Sequence, residues 1–81
     1  MVPEQVLEQK EIDQKIDEAI NQLDDTHREV IILKYFWGLS EKEMAEVINV
    51  KDGTVKSRLN RARAKIQSIL IEYLSEKKEW R

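Results

Sequence analysis

The chain has 81 residues, a formal net charge of −2, no cysteine and one histidine. That length allows one domain with a thin core; the lack of cysteine excludes a disulfide framework and a thiolate metal site, and one histidine cannot build a zinc site or a nucleophile–base pair, so neither a metal or cofactor nor catalysis on a small-molecule substrate is expected. No apolar run approaches a membrane span or a signal-peptide core, so no membrane partner and a cytoplasmic location are expected.

Taken in chain order, the pattern predicts four helices and no strand, an all-α fold. The first helix starts after Pro3 and runs to about Leu23, with Ile12, Ile16, Ala19, Ile20 and Leu23 at helical spacing. Asp24, Asp25 and Thr26 form a polar break, and Asp25 or Thr26 can cap a second helix that runs through Val30, Ile31 and Leu33 to the break at Gly38. Ser40 and Glu43 match a capping box, in which the serine hydroxyl accepts from a free backbone N–H and the glutamate reaches back to the cap. They open a short third helix whose apolar face is Met44, Ala45, Val47 and Ile48, with Ala45 small enough to let the next helix come close. Asn49 ends it, since asparagine tolerates the left-handed conformation, and Val50 plugs the turn. The fourth helix runs from about Asp52 past Leu70. Within it Ile69, Leu70, Ile71, Tyr73 and Leu74, and later Trp80, extend the apolar pattern and suit docking on the first helix or on a partner, while the charged residues from Glu76 onward suit a fraying end.

Charge is segregated along this order. Residues 1–30 hold nine acids against three bases, whereas residues 51–65 hold six bases against Asp52 alone. One end repels nucleic acid and the other attracts it. The basic run follows a capped helix and a short turn, the order of parts in a helix-turn-helix, and the expected fold is a four-helix domain ending in that motif, winged-helix-like without a wing.

At about 100° per residue, Val55, Leu59, Ala62 and Ile66 fall within roughly 40° of one another and make a stripe that must face the core. Gly53, Lys56, Ser57, Asn60, Arg61 and Ala64 then point away, and Arg58, Arg63 and Lys65 flank that exposed sector. Small and hydrogen-bonding residues at its centre suit base edges, and long cations at its sides suit phosphates.

Three runs carry a family resemblance: Leu23-Asp-Asp-Thr-His-Arg28-Glu-Val, Lys34-Tyr-Phe-Trp-Gly38-Leu-Ser-Glu-Lys-Glu43-Met-Ala-Glu, and Gly53-Thr-Val-Lys-Ser-Arg58-Leu-Asn-Arg-Ala-Arg63. From roughly Ile12 to Leu70 the chain resembles region 4, the C-terminal domain of extracytoplasmic-function sigma factors, and the last run is highly specific for it. The resemblance implies a domain that reads the −35 promoter element of double-stranded DNA, docks on the β flap of RNA polymerase and meets an anti-sigma protein. It implies Lys56, Ser57, Asn60 and Arg61 as the base-reading set, with Thr54, Arg58 and Arg63 near the DNA backbone. Two departures stand out. Asn49 replaces a usual glycine, and Lys51 replaces a serine-like cap; either Asp52 takes over the capping or the helix start is weakly capped and Lys51 is free to meet a phosphate. The expected division is residues 1–11 as an N-terminal helical extension or engineered start, 12–74 as the region 4 domain and 75–81 as a tail.

Response-regulator DNA-binding domains share the Gly38-Leu-Ser-x-x-Glu43 entry and the Thr54-Val-Lys56 start. They typically place histidine where this chain has Arg58. A region-4-like module that binds only proteins is the rival of another class, and the full set of basic groove-facing residues argues against it. Of the cluster Tyr35-Phe36-Trp37, Phe36 is expected in the core; Tyr35 and Trp37 cannot both share its face, and Trp37 stands where the resembled family often has an acid. Tyr35 and Trp37 are therefore the expected partner surface. His27 is expected to be solvent-exposed.

Overall fold

The structure is a computed structural model that describes residues 4–79, with side chains described for 9–76. Four helices follow one another among the described residues: α1 (Glu4–Asn21), α2 (Asp25–Ile31), α3 (Glu41–Ile48) and α4 (Asp52–Glu79), with a π-helical turn at Ile32–Phe36 continuing α2. No strand forms among the described residues. The α1 helix stops at Asn21, two residues before Leu23, because Gln22 and Leu23 turn back on Ala19 and Ile20 with N···O distances of 3.2 and 3.1 Å. That tight turn drops Leu23 into the core.

The cap of α2 is Asp24, not Asp25 or Thr26: its carboxylate accepts from the His27 backbone N–H at 3.1 Å and from the Thr26 hydroxyl at 3.2 Å. His27 is accordingly half-buried, with its ring Nδ1 against the same carboxylate, and is not a plain solvent-facing residue. At α3 the capping box forms in full, with Glu43 N–H to Ser40 Oγ at 3.1 Å and Ser40 N–H to Glu43 Oε1 at 2.9 Å. Asn49 takes the left-handed conformation at φ 57°, and Val50 N–H closes on the Ala45 carbonyl at 3.0 Å. That turn sets the angle between α3 and α4.

Among the described residues, ten apolar side chains form the core: Ala19, Ile20 and Leu23 from α1 and the turn after it, Val30 and Ile31 from α2, Met44 and Ala45 from α3, and Val55, Leu59 and Ala62 from α4. The expected stripe of α4 is thus the buried one, with Ile66 half-buried at its end. Val47 is not on the apolar face of α3; it is 64% exposed, roughly 60° around the helix from Met44 and roughly 100° from Ile48. Ile12 likewise lies largely outside the core.

Phe36 is the larger correction: it is 66% exposed. An α-helical continuation of α2 would set Lys34, four residues after Val30, on the core row. The chain instead widens, with Trp37 N–H reaching the Ile32 carbonyl five residues back at 3.0 Å. That spacing brings Tyr35 and Phe36 above Val30 and Ile31, past the edge of the core, while half-buried Lys34 pairs with Glu41 at 3.6 Å. Gly38, at φ 71°, ends the segment in a conformation that favours glycine, and Leu39 N–H seals it on the Leu33 carbonyl at 3.1 Å. At the other end α4 continues through Glu79, into the charged stretch expected to fray from Glu76 onward. Trp80 lies outside the described residues.

Candidate nucleic-acid interface

The turn Asn49–Val50–Lys51 aims α4 so that its first four turns carry two opposite faces. One packs Val55, Leu59 and Ala62 against the other helices. The other leaves Lys56, Ser57, Asn60 and Arg61 exposed, with Lys51 at the helix entry and Thr54 and Arg58 half-buried at the margins. Among the described residues, the side chains of Lys51, Lys56, Arg58, Arg61 and Lys65 make no hydrogen bond or ion pair with the protein, so their charges are free for an outside partner. A helix presenting amide, hydroxyl and cationic groups between flanking cations matches what a major groove offers, base-edge acceptors between two phosphate strands.

Lys51 occupies the cap position of α4. Its carbonyl accepts from Thr54 N–H at 3.0 Å and from Val55 N–H at 3.3 Å, and neither its own side chain nor Asp52 bonds to the first turn. The start of the candidate recognition helix is therefore uncapped by any side chain among the described residues.

Arg63 is placed differently from the rest of the basic run. Its Nε donates to the Tyr35 hydroxyl at 2.7 Å, and its guanidinium carbon lies 5.6 Å from the centre of the Tyr35 ring. The two residues form one wall of an open apolar groove of about 530 Å³, floored by Ile20 and Ile31 and bounded by Phe36, Ile66, Leu70 and Leu74. The distal apolar row of α4 thus divides: Tyr73 meets α1, where Lys15 Nζ stands 5.0 Å from its ring centre, whereas Ile71 and Leu74 remain exposed along the groove. Trp37, also exposed, sits in a shallower dip with Ile32 and Arg28. Sequence reasoning placed Tyr35 and Trp37 at a partner surface but missed Phe36 and Ile32 beside them. The available signal was the unbroken run Ile31 to Trp37, with only one lysine, which no single helical face can bury.

Among the described residues no group of His, Asp and Glu is set to hold a metal ion, and no helix is long and apolar enough to cross a membrane.

Comparison with known proteins converges on one family. The family model for sigma-70, region 4 matches residues 13–66. The ECF RNA polymerase sigma factor SigW of Bacillus subtilis is 37% identical over 70 residues, which are 86% of this chain and 37% of that protein. The RNA polymerase sigma factor NccH of Alcaligenes xylosoxydans xylosoxydans is 43% identical over 56 residues, 69% of this chain and 30% of that protein. The RNA polymerase sigma-H factor of Pseudomonas aeruginosa is 36% identical over 74 residues, 91% of this chain and 38% of that protein. The chain thus spans well under half the length of these relatives. A matched span that contains both the α3–α4 motif and the core beneath it, joined to these relatives, means that the chain belongs to the sigma-70 region 4 family of extracytoplasmic-function sigma factors, a family of helix-turn-helix domains that serve transcription initiation and not catalysis.

Proposed function

We propose that this chain is the promoter-reading domain of a bacterial sigma factor, acting in the cytoplasm. In this reading α4 enters the major groove at the −35 element, where Lys56, Ser57, Asn60 and Arg61 read base edges and Thr54, Arg58, Arg63 and Lys51 lie along the phosphates. The apolar groove and the exposed Tyr35 and Trp37 form the face for protein partners, the β flap of the polymerase core and an anti-sigma protein. The observation that carries the reading is the free, exposed basic face of α4 in a chain that is acidic elsewhere.

The test is a selection of preferred duplexes from a randomised pool, followed by titrations of the preferred and a random duplex over a salt series. With about five phosphate contacts, each adding about 0.9 to the log–log slope, binding by the isolated domain is weak and falls steeply with salt. Arg61→Ala costs about 1–3 kcal/mol on the preferred duplex and little on the random one, because a base-edge contact is lost. Equal losses on both duplexes would remove Arg61 from the base-reading set, and failure to enrich any sequence would sink the promoter reading.

A further inference from the structure

Arg63 stands between two surfaces. It flanks the exposed sector of α4 next to Lys56 and Asn60, yet it alone of the basic run from Lys56 to Lys65 is tied to another side chain among the described residues, through the Tyr35 hydroxyl at 2.7 Å and the face of the ring. The partner comes from 28 residues away and is brought there by the π-helical turn. We propose that Tyr35 is a positioning residue for Arg63: in the free domain it holds the guanidinium against the groove wall, and Arg63 joins the DNA contact only when that link opens. The inference rests on the DNA-binding reading above.

The magnitudes allow such a balance. A charge-assisted hydrogen bond at an exposed site, with cation–π stacking added, biases a side chain by a factor on the order of 5 to 30. One phosphate contact at low salt is worth a factor on the order of ten through counterion release. Neither overwhelms the other, so a change at Tyr35 is enough to move Arg63 between them. Tyr35 also lines the groove, so whatever seats there touches the side chain that restrains the arginine.

Two variants test this in the 81-residue chain. Tyr35→Phe removes the acceptor and keeps the ring; Tyr35→Leu removes both. Tyr35 is 56% exposed, so both variants are expected to fold, which a thermal melt checks. Each is titrated against a fluorescein-labelled random-sequence duplex by anisotropy over a salt series, with and without Arg63→Ala. The expected result is severalfold tighter binding by Tyr35→Phe at low salt, at least as much by Tyr35→Leu, a log–log slope steeper by up to about 0.9, and loss of the gain once Arg63 is alanine. Unchanged affinity and slope in both variants, a gain that survives without Arg63, or weaker binding by Tyr35→Phe would each overturn the inference, the last by making the hydroxyl a DNA contact or a guide toward DNA. If the parent chain fails to bind at the lowest salt, the DNA reading itself falls and takes this one with it; if the parent binds and Tyr35 proves indifferent, only the positioning role is lost.

Discussion

The Asp24 carboxylate collects the backbone N–H of His27, the Thr26 hydroxyl and the His27 ring at the start of α2. The backbone N–H, first, and then the His27 side chain hold it below the usual carboxylate range. Glu43 is held low in the same way, first by the Ser40 backbone N–H and then by the serine side chain. A depressed carboxyl contributes stability that is full above its unfolded value and drains away as the pH falls through the folded one, so both caps weaken as the solution is acidified through and below the ordinary carboxylate range. Asparagine caps about as well as aspartate but does not titrate there. Asp24→Asn is therefore expected to melt close to the parent at neutral pH and to lose less stability on acidification, as read by urea midpoints across a pH series. An equal acid slope in the two proteins would mean that Asp24 is no more tightly held in the folded chain than in the unfolded one.

At the scale of elements, the start of α4 carries the least favourable local choice in the domain. Lysine at the cap offers no acceptor to the free N–H groups of the first turn, and its charge faces the positive end of the helix dipole. Lys51→Ser is expected to stabilise the domain by about 0.5–2 kcal/mol, seen as a higher melting temperature, and to weaken DNA binding on every duplex alike if the lysine meets a phosphate. No gain in melting temperature would show that Asp52 already satisfies that turn in solution. The helices themselves were legible in the sequence because their signals are local: the Ser40–Glu43 box, Asn49 at the left-handed position and the Val55–Leu59–Ala62 stripe each act within a few residues. The π-helical turn was not legible, because whether α2 tightens or widens after Ile31 depends on what α1 and α4 leave uncovered beyond Val30. The same reason hid the tie between Arg63 and Tyr35. The helical wheel ranks Arg63 by its angle on α4, and no angle on one helix reveals an aromatic partner from another.

Across the whole molecule, apolar surface gathers in two places that do different work. Met44 is the largest fully buried side chain, at the meeting of α3 with α4, whereas Leu74 is about half exposed on the distal part of α4, along the groove. A domain of this size has a thin core and few kcal/mol in reserve, so removing the centre of that core is felt by every helix at once. Met44→Ala is expected to cost about 2–5 kcal/mol, enough to leave much of the chain unfolded at moderate urea, because Met44 is fully buried where α3 packs on α4 and its removal leaves a cavity there. Leu74→Ala removes a side chain that already meets water, so its cost is expected to stay below about 1 kcal/mol, while the apolar wall offered to a protein partner shrinks. Urea denaturation of the two variants separates core from groove. A large loss for Leu74→Ala would mean that the distal part of α4 is holding α1 in place, and that the apolar row beyond Ile66 exists for folding and not for docking.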